Sequence, residues 1–369
     1  MDLVEDGKVD DRRGIGKILS ARGPQGVVHR TPQLLQVHRE QPRIGLHQRD
    51  VRLRVQHRLI ELLAGLGGAP LATYFWGNEP EAARSAVERA LDAGIRHFDT
   101  APLYGLGESE RRLGSVLSQV DRDRFVVGTK VGRLLRPSGA DPDERDAVFD
   151  FSRDGVVRSL EESLERLGLD RVDIVHIHDP DDHLEAAIST AFPALAELRS
   201  QGVISAVSAG LSNALAAMVR ETDLDCVVLA GRYTLLDQGA FQEFLPLCLE
   251  RDVAVIAAGV FNSGVLANPT PGAWFDYAPA GPEVLQKVED LAAICARHDV
   301  PIKAAAIQFP LAHPAVACAI VGMRDAGEVD ENLRLGATEI PDELWVEMQE
   351  QGLLDDRAPL PGSQLGGGG

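Results

Sequence analysis

Cysteine is scarce in this 369-residue chain: four residues, Cys226, Cys248, Cys295 and Cys318, with no Cys-x-x-Cys pair. That spacing argues against a disulfide framework or a cysteine zinc site and suits buried, reduced thiols. Aromatic residues are 5% of the chain, too few for a surface that stacks nucleic-acid bases. Basic residues are short as well, 37 against 56 acidic ones, for a formal charge of −19. Such a field repels phosphate backbones and anionic lipid, so no nucleic-acid partner is expected. The longest apolar run, Val253 to Phe261, is nine residues, about half of the roughly 18 that read as a membrane-spanning helix. The opening residues, Met1 to Asp6, lack the basic start and apolar block of a signal peptide. These absences lead to the expectation of a cytoplasmic protein with no membrane partner. With 44% apolar and 25% charged residues, the chain has ample material for a core.

The first sixty residues differ from the rest. They carry 12 Lys/Arg and 7 Asp/Glu, a charge of +5 against −24 for the remaining 309, and no Phe, Tyr, Trp or Cys. Without aromatic anchors or a sustained apolar stripe, such a segment buries little area to offset chain entropy. The expectation is an atypical, disordered N-terminal extension over 1–60, outside the catalytic unit. A catalytic barrel is expected over 61–354 and a flexible C-terminal tail over 355–369.

From Leu62 onward, short aliphatic runs alternate with amphipathic runs of helical period, the pattern of a parallel sheet with crossover helices. Strands are predicted at 62–66, 95–99, 124–130, 172–178, 203–209, 226–230, 253–258 and 316–321. Helices are predicted at 80–92, 108–119, 153–167, 184–200, 213–220, 241–250, 282–297 and 328–336, with a further one at 341–351. Eight strand–helix units are the count of an α/β protein of the (β/α)8 TIM barrel type. A doubly wound sheet is disfavoured, because Gly65-Leu66-Gly67-Gly68-Ala69 lacks the Gly-x-Gly-x-x-Gly spacing of a dinucleotide fingerprint.

Working groups in a barrel belong at the carboxyl ends of its strands. The polar residues interrupting strand ends are Asp99, Lys130 and His178, and Tyr104 follows Asp99 in a Gly/Pro-bearing loop. A lysine beside an aspartate is a paired buried charge. An ammonium near a phenol favours phenolate, and a neutral histidine can orient a substrate oxygen. Such a set suits proton transfer at a carbon–oxygen centre while a nicotinamide takes or gives hydride. His176-Ile177-His178 also has the form of a His-x-His metal site, but no further ligands fall at other strand mouths, and no metal is expected.

At these residues the sequence resembles the aldo-keto reductases. The carriers of the resemblance are Gly94-Ile95-Arg96-His97-Phe98-Asp99-Thr100-Ala101-Pro102-Leu103-Tyr104-Gly105, Thr129-Lys130-Val131-Gly132 and Val172 through Pro180. The resemblance implies Tyr104 as proton carrier, Lys130 and Asp99 as its tuners, and His178 as the group that orients substrate. It also implies NADP or NAD as cofactor. Ser212 and Asn213 would hold the nicotinamide carboxamide, and Ser263 and Gly264 would lie at the pyrophosphate. Gly322, Arg324, Glu328 and Asn332 would clamp the adenosine phosphate. Two departures from the family pattern are Ala230, where a glutamine is usual, and Ala258, where a tyrosine usually stacks on the nicotinamide.

Pro102-Leu103-Tyr104-Gly105-Leu106-Gly107, His178-Asp179-Pro180 and Phe275-Asp276-Tyr277-Ala278-Pro279 resemble the sugar-oxidising branch of the family. That implies oxidation of L-fucose or a related D-threo-aldose at C1. The alternatives are pyridoxal oxidation at C4, general aldehyde and ketone reduction, and a non-enzymatic nicotinamide-sensing subunit.

Overall fold

The computed structural model describes residues 65–73, 77–138, 145–210, 214–270, 272–276 and 278–362. The expected N-terminal extension therefore lies outside the described residues, as do Ser212 and Asn213. Eight strands close into one barrel: β1 (Gly65–Gly67), β2 (His97–Asp99), β3 (Val126–Val131), β4 (Ile174–His178), β5 (Ala206–Gly210), β6 (Cys226–Ala230), β7 (Ala254–Ala258) and β8 (Val316–Gly322). Each pairs with its sequence neighbours in parallel, and β8 closes the ring against β1 through Leu66↔Val321.

The helices lie between these strands in the chain: α1 (Pro80–Asp92), α2 (Glu108–Leu117), α3 (Arg153–Leu167), α4 (Phe192–Ser200), α5 (Leu215–Glu221), α6 (Phe244–Glu250), α7 (Pro282–Arg297) and α8 (Ile302–Gln308), then α9 (Ala326–Gly336) and α10 (Asp342–Glu350) after β8. Local chemistry explains their bounds. Pro80 and Pro282 open α1 and α7, where a missing N–H costs nothing. The Ser152 hydroxyl accepts from Gly155 N to start α3, and Gly168 ends it at φ 63°. Helix α1 buries Ala83, Ala86, Val87, Ala90 and Leu91, one stripe at helical spacing.

Several features depart from the sequence expectation, among them helix α8, which was not predicted. The helix predicted over 184–200 is split by a π-helical segment, Ala187–Ala191, just before Pro193, whose missing N–H breaks the regular i→i−4 ladder. An antiparallel hairpin, Arg133–Pro137 with Arg145–Phe149, follows β3 at its carboxyl end. Residues 355–362, within the expected tail, pack on the barrel: Ala358 is buried and Asp355 N donates to Gln238 Oε1 at 2.9 Å.

The interior of the barrel is divided by chemistry. Val126, Ile174, Ala206, Cys226, Val228, Ala254, Ile256, Cys318 and Ile320 form one small apolar cluster. On β2, β3 and β4 the buried residues at alternate positions are instead His97 and Asp99, Lys130, and His176 and His178. All four cysteines are buried thiols, with no disulfide among the described residues.

His97 gives this interior a pH dependence. Burial pushes its imidazole down to about 4, opposed by nearby Asp99 and assisted by His176 and Lys130. The unfolded chain, with its histidine near the ordinary 6.5, takes up the proton first on acidification, so stability present at neutral pH is lost as pH falls toward 4. The loss assignable to His97 between pH 7 and pH 5 is roughly 2 kcal/mol. Urea melts at the two pH values should show a smaller difference in His97→Gln than in the parent. An unchanged difference would assign the acid sensitivity to other groups.

Candidate active site

Asp99 ends β2, and the loop after it carries Tyr104. That loop turns through three consecutive left-handed residues, Gly105, Leu106 and Gly107, with φ of 60°, 51° and 86°. A Cβ at Gly105 would stand 2.5 Å from Ala72 Cβ, so close packing as well as backbone sign calls for glycine there. The turn delivers the chain into α2, and Ser109 N donates back to Tyr104 O at 3.2 Å. Tyr104 is thereby fixed at the barrel mouth at both of its flanks.

Lys130, on the adjoining β3, is 1% exposed. Its Nζ donates to Asp99 Oδ1 at 2.6 Å and to Thr100 O at 2.9 Å, and it also hydrogen-bonds Tyr104. The ammonium stands 4.8 Å from the centre of the Tyr104 ring. Burial alone would lower its pKa, but Asp99 and Tyr104 more than offset that and raise it. Asp99 lies well below the ordinary carboxylate range: burial opposes its charge, and Lys130 and then His176 overcome the penalty.

His178 ends β4, 1% exposed, with its ring edge-on to Tyr104 at 6.1 Å between centroids. Burial, and then the positive charges of Lys130 and Arg133, hold its pKa well below the usual value, so the imidazole is neutral at neutral pH. The four residues singled out in the sequence thus meet at one mouth: an ammonium, a carboxylate, a phenol and a neutral imidazole.

The structure adds two contacts that the strand-end pattern does not contain. His176 Nε2 approaches Asp99 Oδ2 to 3.3 Å across β3. Gly128 permits the approach, because a Cβ there would lie 2.8 Å from His176 Nε2. Arg133, the first residue of the hairpin, donates to Asp179 Oδ2 at 2.7 Å, and that oxygen lies 3.6 Å from His178 Nε2. The chemistry of a conspicuous Arg and Asp was legible, but their 46-residue separation gives no local signal.

Those of the residues expected at a dinucleotide that are described lie at the same end. Ala230 and Ala258 are register partners at the ends of β6 and β7, and Gly210 ends β5. After β7, Asn262, Ser263 and Gly264 turn through φ of 45°, 57° and 96°, and buried Asn262 Oδ1 has no partner among the described residues. Gly322 ends β8, and Arg324 donates through Nε to Glu328 Oε1 at 2.7 Å. Asn332 lies one turn further along α9. Small residues at the mouth, an unused buried acceptor and an exposed guanidinium at the start of α9 fit a nicotinamide dinucleotide. Among the described residues no group of three or more His, Cys, Asp or Glu could hold a metal ion. No described helix is long and apolar enough to cross a membrane.

Residues 64–351 match the family model described as Aldo/keto reductase family. A D-threo-aldose 1-dehydrogenase of Pseudomonas sp is 45% identical over 308 residues, covering 79% of this chain and 94% of the relative. A pyridoxal 4-dehydrogenase of Microbacterium luteolum is 38% identical over 321 residues, with the same coverages of 79% and 94%. Among solved structures, the aldo-keto reductase AKR11C1 from Bacillus halodurans in its holo form superposes with a TM-score of 0.63 at 24% identity, over 78% of this chain and 91% of that one. That likeness establishes the fold.

Proposed function

The chain belongs to the aldo/keto reductase family and is an NAD(P)-dependent oxidoreductase acting on CH–OH groups; from this premise we propose that it oxidises an aldose, L-fucose or a related D-threo-aldose, at C1. The observation that carries the reading is the Lys130 ammonium, buried between Asp99 and Tyr104 at the barrel mouth. The aldose is favoured over other alcohols by the 45% identity with the Pseudomonas relative.

In the proposed mechanism, the C1 hydroxyl of the cyclic sugar sits between Tyr104 and His178. The neutral His178 imidazole donates a hydrogen bond to the C1 oxygen and fixes its direction. Tyr104 takes the hydroxyl proton, and Lys130 stabilises the charge of the phenolate that receives it. Asp99 keeps Lys130 charged and aimed. A bound NAD(P)⁺ would supply the acceptor for the hydride from C1, the sugar leaving as its lactone with release of one proton. The groups that would hold the dinucleotide are Ser263, Gly264, Gly322, Arg324 and Asn332, together with Ser212 and Asn213.

The direct test is absorbance of reduced nicotinamide during a screen of aldoses and pyridoxal, each with NAD and NADP. Turnover of L-fucose or a related D-threo-aldose supports the reading. Turnover of pyridoxal alone moves the protein to the other substrate class. Tight dinucleotide binding without turnover of any substrate favours a sensor.

Arg324 is proposed as the reader of the adenosine 2′ position. Only NADP offers a phosphate to the guanidinium there, so Arg324→Ala is expected to weaken NADP by about tenfold or more and NAD far less. Fluorescence titration with each reduced cofactor checks this, and equal losses would refute a phosphate-reading role. Glu328 already engages Arg324, which tempers its pull on a phosphate in the parent protein.

A further inference from the structure

Asp179 directly follows His178, and nothing in the proton-transfer scheme uses it. Its backbone sits at φ 43°, a left-handed conformation for a non-glycine residue, and Pro180 follows it. Such a conformation is unfavourable for a residue with a side chain and persists only where the surroundings hold it. Here Asp179 N donates to Gly210 O at 3.3 Å and Arg133 donates to Oδ2 at 2.7 Å, anchoring the residue through backbone and side chain. Arg133 is itself clamped: its guanidinium lies 4.1 Å from the centre of the Phe149 ring, and Phe149 packs on His183 at 4.6 Å. The hairpin therefore holds a guanidinium and a carboxylate rigidly at the mouth.

A pair built only for stability would bury its hydrogen-bonding capacity. This one leaves capacity over. Asp179 is about one-quarter exposed, and Oδ1 accepts from none of the described residues. Arg133 Nε is buried and has no partner among the described residues. The carboxylate lies 3.6 Å from Nε2 of His178, the imidazole that donates to the reacting oxygen in the proposed mechanism. Two hydroxyl oxygens on neighbouring carbons are about one hydrogen-bond length apart, so one can meet His178 while the other meets Asp179. The exposed edge of Phe149 adds an apolar face at the same rim, suited to the C–H side of a sugar ring.

We propose that Asp179, held by Arg133, accepts a hydrogen bond from the hydroxyl on the carbon next to the reacting one, making it the residue that selects a 2-hydroxylated aldose. This rests on reading the protein as an aldose dehydrogenase. An alcohol donates to a carboxylate; an ionised phenolic oxygen, such as pyridoxal carries beside its aldehyde, is repelled by it. The same residue thus separates two of the substrate classes considered above.

The experiment compares kcat/KM for L-fucose and for 2-deoxy-L-fucose in the parent, Asp179→Asn, Asp179→Ala and Arg133→Met. In the parent, loss of the 2-hydroxyl is expected to cost about ten- to a hundredfold, the range for a hydrogen bond to a charged group. In Asp179→Ala the two sugars are expected to converge, almost wholly through a fall in the L-fucose value. Asp179→Asn retains the side-chain volume and should lose most of the discrimination. Arg133→Met should lose part of it, because the carboxylate remains but is no longer held. Reduced-cofactor binding, measured by fluorescence, is expected to be unchanged in each and reports an intact barrel. Equal losses on both sugars in Asp179→Ala, or full discrimination in Asp179→Asn, would overturn the assignment. A parent inactive on every aldose would instead sink the aldose reading itself, a distinct outcome.

Discussion

Tyr104→Phe is expected to lower kcat by at least about 10²–10⁴-fold, the usual contribution of general acid–base catalysis, with almost no change in cofactor affinity. Phenylalanine keeps the ring, its contact with the Lys130 ammonium at 4.8 Å and its edge-on packing against His178 at 6.1 Å. What disappears is the hydroxyl that Lys130 hydrogen-bonds. Neither neighbour replaces it: Lys130 is already charged and engaged with Asp99 and Thr100, and buried His178 resists a second proton. Steady-state rates on each active sugar, beside a titration with reduced cofactor, check the prediction. More than about a tenth of the parent kcat on every sugar would remove Tyr104 from the proton path.

How far the sequence discloses this site depends on how locally each part is encoded. Strand ends carry their own marks, because Asp99, Lys130 and His178 interrupt aliphatic runs, and the barrel brings successive ends together. Helices with terminal signals were legible to the residue: α1 opens at Pro80, and α3 closes at Gly168. The hairpin after β3 was not, since Arg133-Leu134-Leu135-Arg136-Pro137 alternates poorly and ends in proline. Helix α8 was missed because Ile302–Gln308 is short and alanine-rich, with no polar face to set its period. His176 reads as an ordinary inward strand residue, and its contact with Asp99 depends on Gly128, a residue of neither strand. Arg133 and Asp179 meet because the register that pairs Val131 with Ile177 sets the residues just past the ends of β3 and β4 side by side. Chemistry carried by single strand ends was therefore visible, and contacts set by the register between strands were not.

Lys130→Met should do two separable things. The first is kinetic: turnover falls and its optimum moves to higher pH, because a more alkaline solution is needed to remove the phenol proton once the ammonium is gone. The second concerns stability. Lys130 and Asp99 are almost fully buried, and removing one partner of such a pair typically costs about 3–5 kcal/mol, since the other charge stays in the core. In the parent, Asp99 is held below its ordinary range, so its stabilising contribution is present at neutral pH and lost only in strong acid. In Lys130→Met the buried carboxylate loses its ammonium partner, the largest influence holding its charge, and keeps only the neutral His176 beside it; burial then favours its proton and the sign reverses, the unfolded chain releasing that proton first as pH rises. Relative to the parent, the variant should therefore show its largest stability deficit at alkaline pH and a smaller one toward pH 5. Adding Asp99→Asn removes the stranded charge, so the double variant should regain much of the lost stability while remaining slow. Chemical denaturation of the two variants at pH 8 and pH 5, beside their pH–rate profiles, separates the roles. A double variant as unstable as Lys130→Met would show that lysine packing, not charge pairing, holds this part of the barrel. A single variant with the parent's pH optimum would show that the ammonium does not act on Tyr104.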